Sequence, residues 1–223
     1  MKLLEGENPE SYFEQCLLFS NKNIELELIF GSDQYKNPIN KKIYLDLIDK
    51  LKESYELISQ ETSLDIRKEF KNNISNIRCT INGLGDIKKF CMQNNLNEID
   101  NVEYVLKTFY KNQSEPTTKF YPLKDKNYNV RLNIKQEKPL NIQHKFVLDF
   151  LNDFERSNKH FRYKKRFSFK TNDNLFRIDL TVIKETAYER GRYNLQKTFR
   201  KANILNNKEK YDSITITISD SDI

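Results

Sequence analysis

The run Phe161-Arg-Tyr-Lys-Lys-Arg-Phe-Ser-Phe-Lys170 constrains the fold more than any other stretch of the chain. Side chains alternate across a β-strand with a period of two. As a strand, this run turns Arg162, Lys164, Arg166 and Ser168 to one face and Phe161, Tyr163, Phe167 and Phe169 to the other. Lys165 breaks the pattern and needs a solvated exit on the apolar side. A row of cations within a sheet is costly unless it meets anions. The sequence offers them near its other end, where Asn23-Ile-Glu-Leu-Glu-Leu-Ile-Phe30 repeats the alternation with Glu25 and Glu27. If both strands line one cavity, that cavity suits a metal and a polyphosphate.

The 223 residues are enough for one domain with a real core. Charged residues reach 31%, but hydrophobic ones still make up 37%, which excludes a disordered chain. A net charge of +6 and a pI near 9.0 favour an anionic partner, weakly. Cys16, Cys79 and Cys91 have no metal-ligand spacing and read as free thiols of a reducing compartment. No apolar run approaches a membrane span and no signal peptide is evident, so a soluble intracellular protein is expected, with no membrane partner.

The periodicities predict an opening helix over 8–17, a strand over 25–30, and an amphipathic helix capped by Asn40 that buries Ile43, Tyr44, Leu47, Ile48 and Leu51. Strands follow over 63–67 and 76–82, then a break at Gly83 and Gly85 before a helix with Ile87, Phe90 and Cys91. Residues 102–110 read as a strand, 113–123 as a loop with two prolines, and 128–137 as a strand with Arg131, Asn133 and Lys135 on one side. Pro139 marks a turn. Residues 142–154 have helical spacing, two long strands over 161–170 and 175–184 are joined by the turn Thr171-Asn-Asp-Asn174, a helix follows around 193–202, and the last strand covers 211–219. The expected fold is α+β: a closed eight-stranded antiparallel barrel with helices packed outside, forming one domain over residues 1–223. Its lumen would be polar, the reverse of an ordinary small barrel.

Five stretches carry a resemblance: Glu25-Leu-Glu-Leu-Ile-Phe-Gly-Ser32; Ile77-Arg-Cys-Thr-Ile-Asn-Gly83 with Ile87-Lys-Lys-Phe-Cys91; Val130-Arg-Leu-Asn-Ile-Lys-Gln-Glu-Lys-Pro-Leu140; Phe161-Arg-Tyr-Lys-Lys-Arg-Phe-Ser168; and Phe176-Arg-Ile-Asp-Leu-Thr181. In this order they resemble the metal-dependent RNA triphosphatases of the triphosphate tunnel metalloenzyme superfamily, as found at the N-terminus of giant-virus mRNA capping enzymes. The resemblance implies removal of the γ-phosphate from 5′-triphosphate RNA before capping. It implies Mg2+ or Mn2+ on Glu25 and Glu27, and phosphate binding by Arg78, Arg131, Lys164, Arg166 and Arg177, with Arg162 and Lys135 as weaker candidates. Glu25, Glu27, Arg166 and Asp179 would form the catalytic set, Asp179 orienting a cation or a water. Partners would be 5′-triphosphate RNA and, in a longer capping enzyme, guanylyltransferase and methyltransferase domains; a viral source would place it in host cytoplasm or virion.

One departure from the family's pattern stands out. Where the last strand should carry alternating glutamates, Tyr211-Asp-Ser-Ile-Thr-Ile-Thr-Ile-Ser219 carries Ser213, Thr215 and Thr217. Hydroxyls are poor metal ligands beside carboxylates. The alternative function is therefore a catalytically weakened tunnel domain that binds triphosphate ends or scaffolds other capping domains. A basic RNA-binding surface ranks below it, because the aromatics of 161–170 fall opposite most of the cations and cannot stack bases beside them. Asp179 with Arg177 reads equally as a structural ion pair, and for Asp65 with Arg67 the structural pair is preferred. His144 and His160 read as ordinary side chains.

Overall fold

A computed structural model describes residues 24–32, 40–70, 75–93, 95–109, 118–122, 128–157, 159–185, 188–189, 192–193 and 210–218. The opening helix expected over 8–17 lies outside them, as does the one expected around 193–202 from residue 194 onward. The strands are β1 (Ile24–Ser32), β2 (Glu56–Glu69), β3 (Ser75–Asn82), β4 (Val102–Phe109), β5 (Thr118–Pro122), β6 (Tyr128–Leu140), β7 (His160–Lys170), β8 (Phe176–Glu185), β9 (Tyr188–Glu189), β10 (Arg192–Tyr193) and β11 (Lys210–Ile218). Among the described residues three α-helices accompany them, α1 (Lys41–Ser54), α2 (Leu84–Gln93) and α3 (Lys145–Asn152), with a 3-10 turn over Leu96–Glu98.

Nine strands form one antiparallel sheet in the order β1-β11-β8-β7-β2-β3-β4-β6-β5, and β1 pairs additionally with β6. Eight strands were expected from the sequence; β5 raises the number in the sheet to nine, and β9 and β10 form a separate ribbon. The stretch over 113–123, expected as a loop, thus holds a strand. Pro122 closes that strand at its last residue, where a missing N–H disturbs the ladder least. Pro139 likewise does not end β6. It stands opposite Val105 of β4, beyond Gln136, the last residue of β6 that pairs with β1.

The alternation reads directly into layers. On β7, Phe161, Tyr163 and Phe169 are buried in the apolar layer, and Lys165 is exposed, as the alternation requires. Leu64 stands opposite Tyr163 and Ile81, and Ile66 opposite Phe161 and Cys79, so β7, β2 and β3 turn one apolar face outward to the helices. Under α2 and α3 this face joins Ile87, Phe90, Val147 and Phe150 in the main core. A second cluster of Tyr44, Ile48, Phe169, Ile178, Leu180 and Val182 lies under α1. Asn40 caps α1, its Oδ1 accepting from the Lys42 N–H at 2.8 Å. Gly83 turns with φ +85° before α2, and Asn174 with φ 64° completes the β7–β8 turn, donating its N–H to the Thr171 carbonyl at 2.9 Å. α3 starts at Lys145 rather than near Ile142. His144 is its N-cap, with Nδ1 accepting from the Phe146 N–H at 3.3 Å, and Ile142 is exposed. Among the described residues no helix is long and apolar enough to cross a membrane.

Candidate functional site

The face of the sheet opposite the helices is built from charged and hydroxylated residues, and the register brings them into line. From β7 to β2, Ser63, Asp65 and Glu61 stand opposite Lys164, Arg162 and Arg166. From β7 to β8, Arg166 stands opposite Thr181 and Ser168 opposite Asp179. β11 comes next, with Thr215 opposite Asp179 and Thr217 opposite Arg177, and then β1, with Glu27 opposite Thr217. Glu27 and Arg177 therefore share a face and are separated by one intervening strand, about 10 Å of backbone. Glu27 is half-buried. Glu25 stands opposite Lys135 and Ile29 opposite Arg131; the side chains of Glu25, Arg131 and Lys135 lie outside the described ones.

Three carboxylates of this face each hold two of its cations. Asp65 on β2 accepts from Lys164 Nζ at 2.9 Å and Arg67 at 3.2 Å, and also from the Thr80 hydroxyl at 3.1 Å. Glu137 on β6 takes Arg78 in a two-pronged contact at 3.2 and 2.7 Å and Lys107 at 2.5 Å. Asp179 on β8 faces Arg166 at 3.5 Å and Arg177 at 3.3 Å, and accepts from the Ser168 hydroxyl at 2.7 Å. The Arg166 Nε–H also donates to the Thr181 hydroxyl at 3.4 Å. Each group keeps one positive charge in excess, in a place with little room to rearrange: the Asp65 side chain is fully buried and that of Asp179 is 2% exposed.

The electrostatics follow from burial and neighbours. Burial opposes ionisation of Asp65, but Lys164, Arg67 and Arg78 together hold its carboxyl far below the usual carboxylate range. Burial likewise opposes charge on Glu137, yet Lys107 and Arg78 bring it down to about 2. For Lys164 burial prevails over the attraction of Asp65, and its ammonium is lowered to about 8.

Of the residues the sequence singles out, the structure joins Arg166, Arg177 and Asp179 in one contact group. It puts Lys164 with Asp65 and Arg78 with Glu137 in the two others. The Asp65–Arg67 pair expected as structural is present, but as part of a larger group that includes Lys164. Lys107 and Glu137 were not foreseen as site residues. Glu137 continues the alternation of Arg131, Asn133 and Lys135, which was a usable signal; Lys107, a single cation near the end of an apolar strand, gave none. Among the described residues no group of three or more His, Cys, Asp or Glu is placed to hold a metal ion. Cys79 is buried in the core and Cys91 half-buried, both as free thiols.

This fold is shared with solved RNA triphosphatases. The triphosphatase of the Mimivirus capping enzyme, in its triclinic structure, superposes with a TM-score of 0.63 at 18% identity, over 94% of this chain and 86% of that one. The RNA triphosphatase domain of the trifunctional mimivirus mRNA capping enzyme gives 0.62 at 20% identity, over 94% and 87%. The Pct1 RNA triphosphatase of S. pombe gives 0.53 at 12% identity, over 98% and 82%. No family model and no curated protein matches the chain.

Proposed function

We propose that the chain is a polynucleotide 5′-triphosphatase, removing the γ-phosphate of 5′-triphosphate RNA as the first step of mRNA capping, with a divalent metal. The observation that carries this reading is the trio of carboxylates, each holding two cations on one face of a sheet shared in fold with RNA triphosphatases. The pairing of β1 with both β11 and β6 supports taking the sheet as closed on itself, with this face lining the lumen. Phosphoryl transfer needs charge neutralisation and in-line positioning more than covalent help. Arg78, Arg166 and Arg177 would present planar forks to phosphate oxygens, Lys164 a point charge, and Arg131, opposite Ile29 in the register, would add another. Asp179 keeps Arg166 and Arg177 in position, so the arginines meet the substrate without first having to be ordered.

The donor chemistry on β1 fits a hard divalent cation. Glu25 and Glu27 are two residues apart on one strand, and Mg2+ is commonly bound by one or two carboxylates together with substrate phosphates. Glu25 and Glu27 would hold Mg2+ or Mn2+, which when bound neutralises charge on the γ-phosphate and positions a water. In a longer capping enzyme, guanylyltransferase and methyltransferase domains would take up the product end.

The test is release of labelled γ-phosphate from triphosphate-ended RNA with Mg2+ or Mn2+. Metal-dependent release that Glu27→Ala abolishes supports the enzyme. A second reading, a weakened tunnel that only binds triphosphate ends, is favoured by one observation. On the neighbouring strand Thr217 stands opposite Glu27 in the register, a position where a carboxylate would strengthen metal binding. Tight triphosphate binding with no release under any metal would establish this second reading.

A further inference from the structure

We infer that a groove at the start of β4 binds an extended peptide segment of a partner protein, in which lysine or arginine alternates with branched apolar residues. The groove lies outside the three contact groups of the charged face, and its role does not rest on theirs.

Three observations converge on it. The first is shape. The 3-10 turn, the start of β4 and the end of β6 enclose a groove of about 460 Å³. Leu96, Ile99, Val102, Leu140 and Ile142 line it, and Ile142 is 57% exposed, so a bound segment has apolar surface to cover. The second is charge. Asp100 and Glu103 also line the groove and both are exposed; among the described residues neither has a hydrogen-bond or ion-pair partner. No lysine or arginine is among the lining residues. The nearby ammonium of Lys89 is bound to the Glu98 carbonyl, and the Glu98 carboxylate, accepting from Asn95, adds negative charge at the same turn. On a chain with a net charge of +6, this local field selects a cationic partner and repels RNA. The third is a sheet edge. Val102 and Glu103 pair with Ile81 and Thr80 of β3, but β6 stops pairing with β4 at Leu140, opposite Tyr104. On the β6 side Val102 and Glu103 therefore have no strand partner among the described residues. An extended segment laid there continues the ladder, main-chain bonds giving affinity and alternate side chains giving specificity. Val102 and Glu103 lie on opposite faces of β4, so neighbouring residues of the segment meet apolar surface beside Val102 and negative charge beside Glu103. That is the origin of the alternating pattern.

A random-peptide phage library selected against the whole chain is the test, with the enriched sequences remade as synthetic peptides and their affinities measured by fluorescence polarisation. The expected sequences alternate Lys or Arg with Val, Ile or Leu. Their affinity should fall about fivefold or more in the double variant Asp100→Asn, Glu103→Gln, which removes two exposed charge pairs. It should be lost in Ile142→Asp. Hydrogen exchange should show the amides of Val102 and Glu103 protected by the peptide. Failure to enrich any sequence, enrichment of sequences without basic residues, affinity unchanged in the double variant, or protection only elsewhere each overturns the inference. A 5′-hydroxyl oligoribonucleotide should leave the two amides unprotected; protection by it would assign the groove to RNA and also overturns the inference. If Ile142→Asp fails to fold, the double variant decides, because both of its positions are exposed.

Discussion

Asp65 is the residue on which most converges: it is fully buried, and Lys164, Arg67 and Thr80 all direct polar hydrogens at it. Asp65→Asn leaves two cations in the sheet without their counter-charge, and breaking a buried pair in this way costs about 3–5 kcal/mol. Urea unfolding should record that loss; a change under about 1 kcal/mol would show that solvent replaces the carboxylate. The same chemistry sets the acid limit. Both Asp65 and Glu137 have depressed folded-state values, so their stabilisation is present above the ordinary carboxylate range and disappears as the pH falls through the depressed values. For Glu137 the loss runs from about 4.5 down to about 2. Lys164 is the group that changes charge on the alkaline side, and under the proposed function the effect is read in binding. Its ammonium is lowered to about 8, so tripolyphosphate affinity should fall as the pH rises through that value. Lys164→Arg, which stays charged, should flatten the profile; an unchanged profile would remove Lys164 from the phosphate site.

At the level of elements, the sequence spoke most clearly where alternation is strict. β7 was legible residue by residue because its two faces differ so sharply in chemistry, and even the exception at Lys165 is exposed as required. β2 was legible only from Ser63 on. Its first half, Glu56 to Glu61, is largely exposed and carries no contrast between faces, so it extends the strand without a periodic signal. β5 and the end of β6 were obscured by Pro122 and Pro139, which occupy strand positions that tolerate a missing N–H. The β7–β8 hairpin follows from Thr171-Asn-Asp-Asn174, and its key residue is Asn174 at φ 64°. A β-branched residue is strained there by about 1–2 kcal/mol. Asn174→Val should therefore lower the melting temperature, whereas Asn174→Gly should not; equal effects would mean that the turn rearranges freely.

For the molecule as a whole, the site was half legible. The cations of β7 and β8 and the carboxylates of β1 stood out because regular alternation puts like groups together. The pairing of Arg78, Lys107, Lys164 and Arg166 with carboxylates from other strands depends on strand order, which local pattern does not encode: Glu137 meets Arg78 across 59 positions of sequence. Stability rests on the two apolar clusters and these ion pairs. A chelator such as EDTA is therefore expected to leave the melting temperature unchanged, while tripolyphosphate raises it by mass action. A large drop with EDTA would mean that metal is part of the folded framework. β7 has one more consequence. Its Lys164 reaches Asp65 on one neighbour and its Arg166 reaches Asp179 on the other, while Phe161, Tyr163 and Phe169 sit in the opposite layer. Displacing β7 by one position would push lysine and arginine under the helices and phenylalanine onto the charged face. A single codon inserted in the Thr171–Asn174 turn can be absorbed there, but the same codon at Lys165 reverses half the strand. The reading frame of these eleven residues is thus what evolution can least afford to disturb.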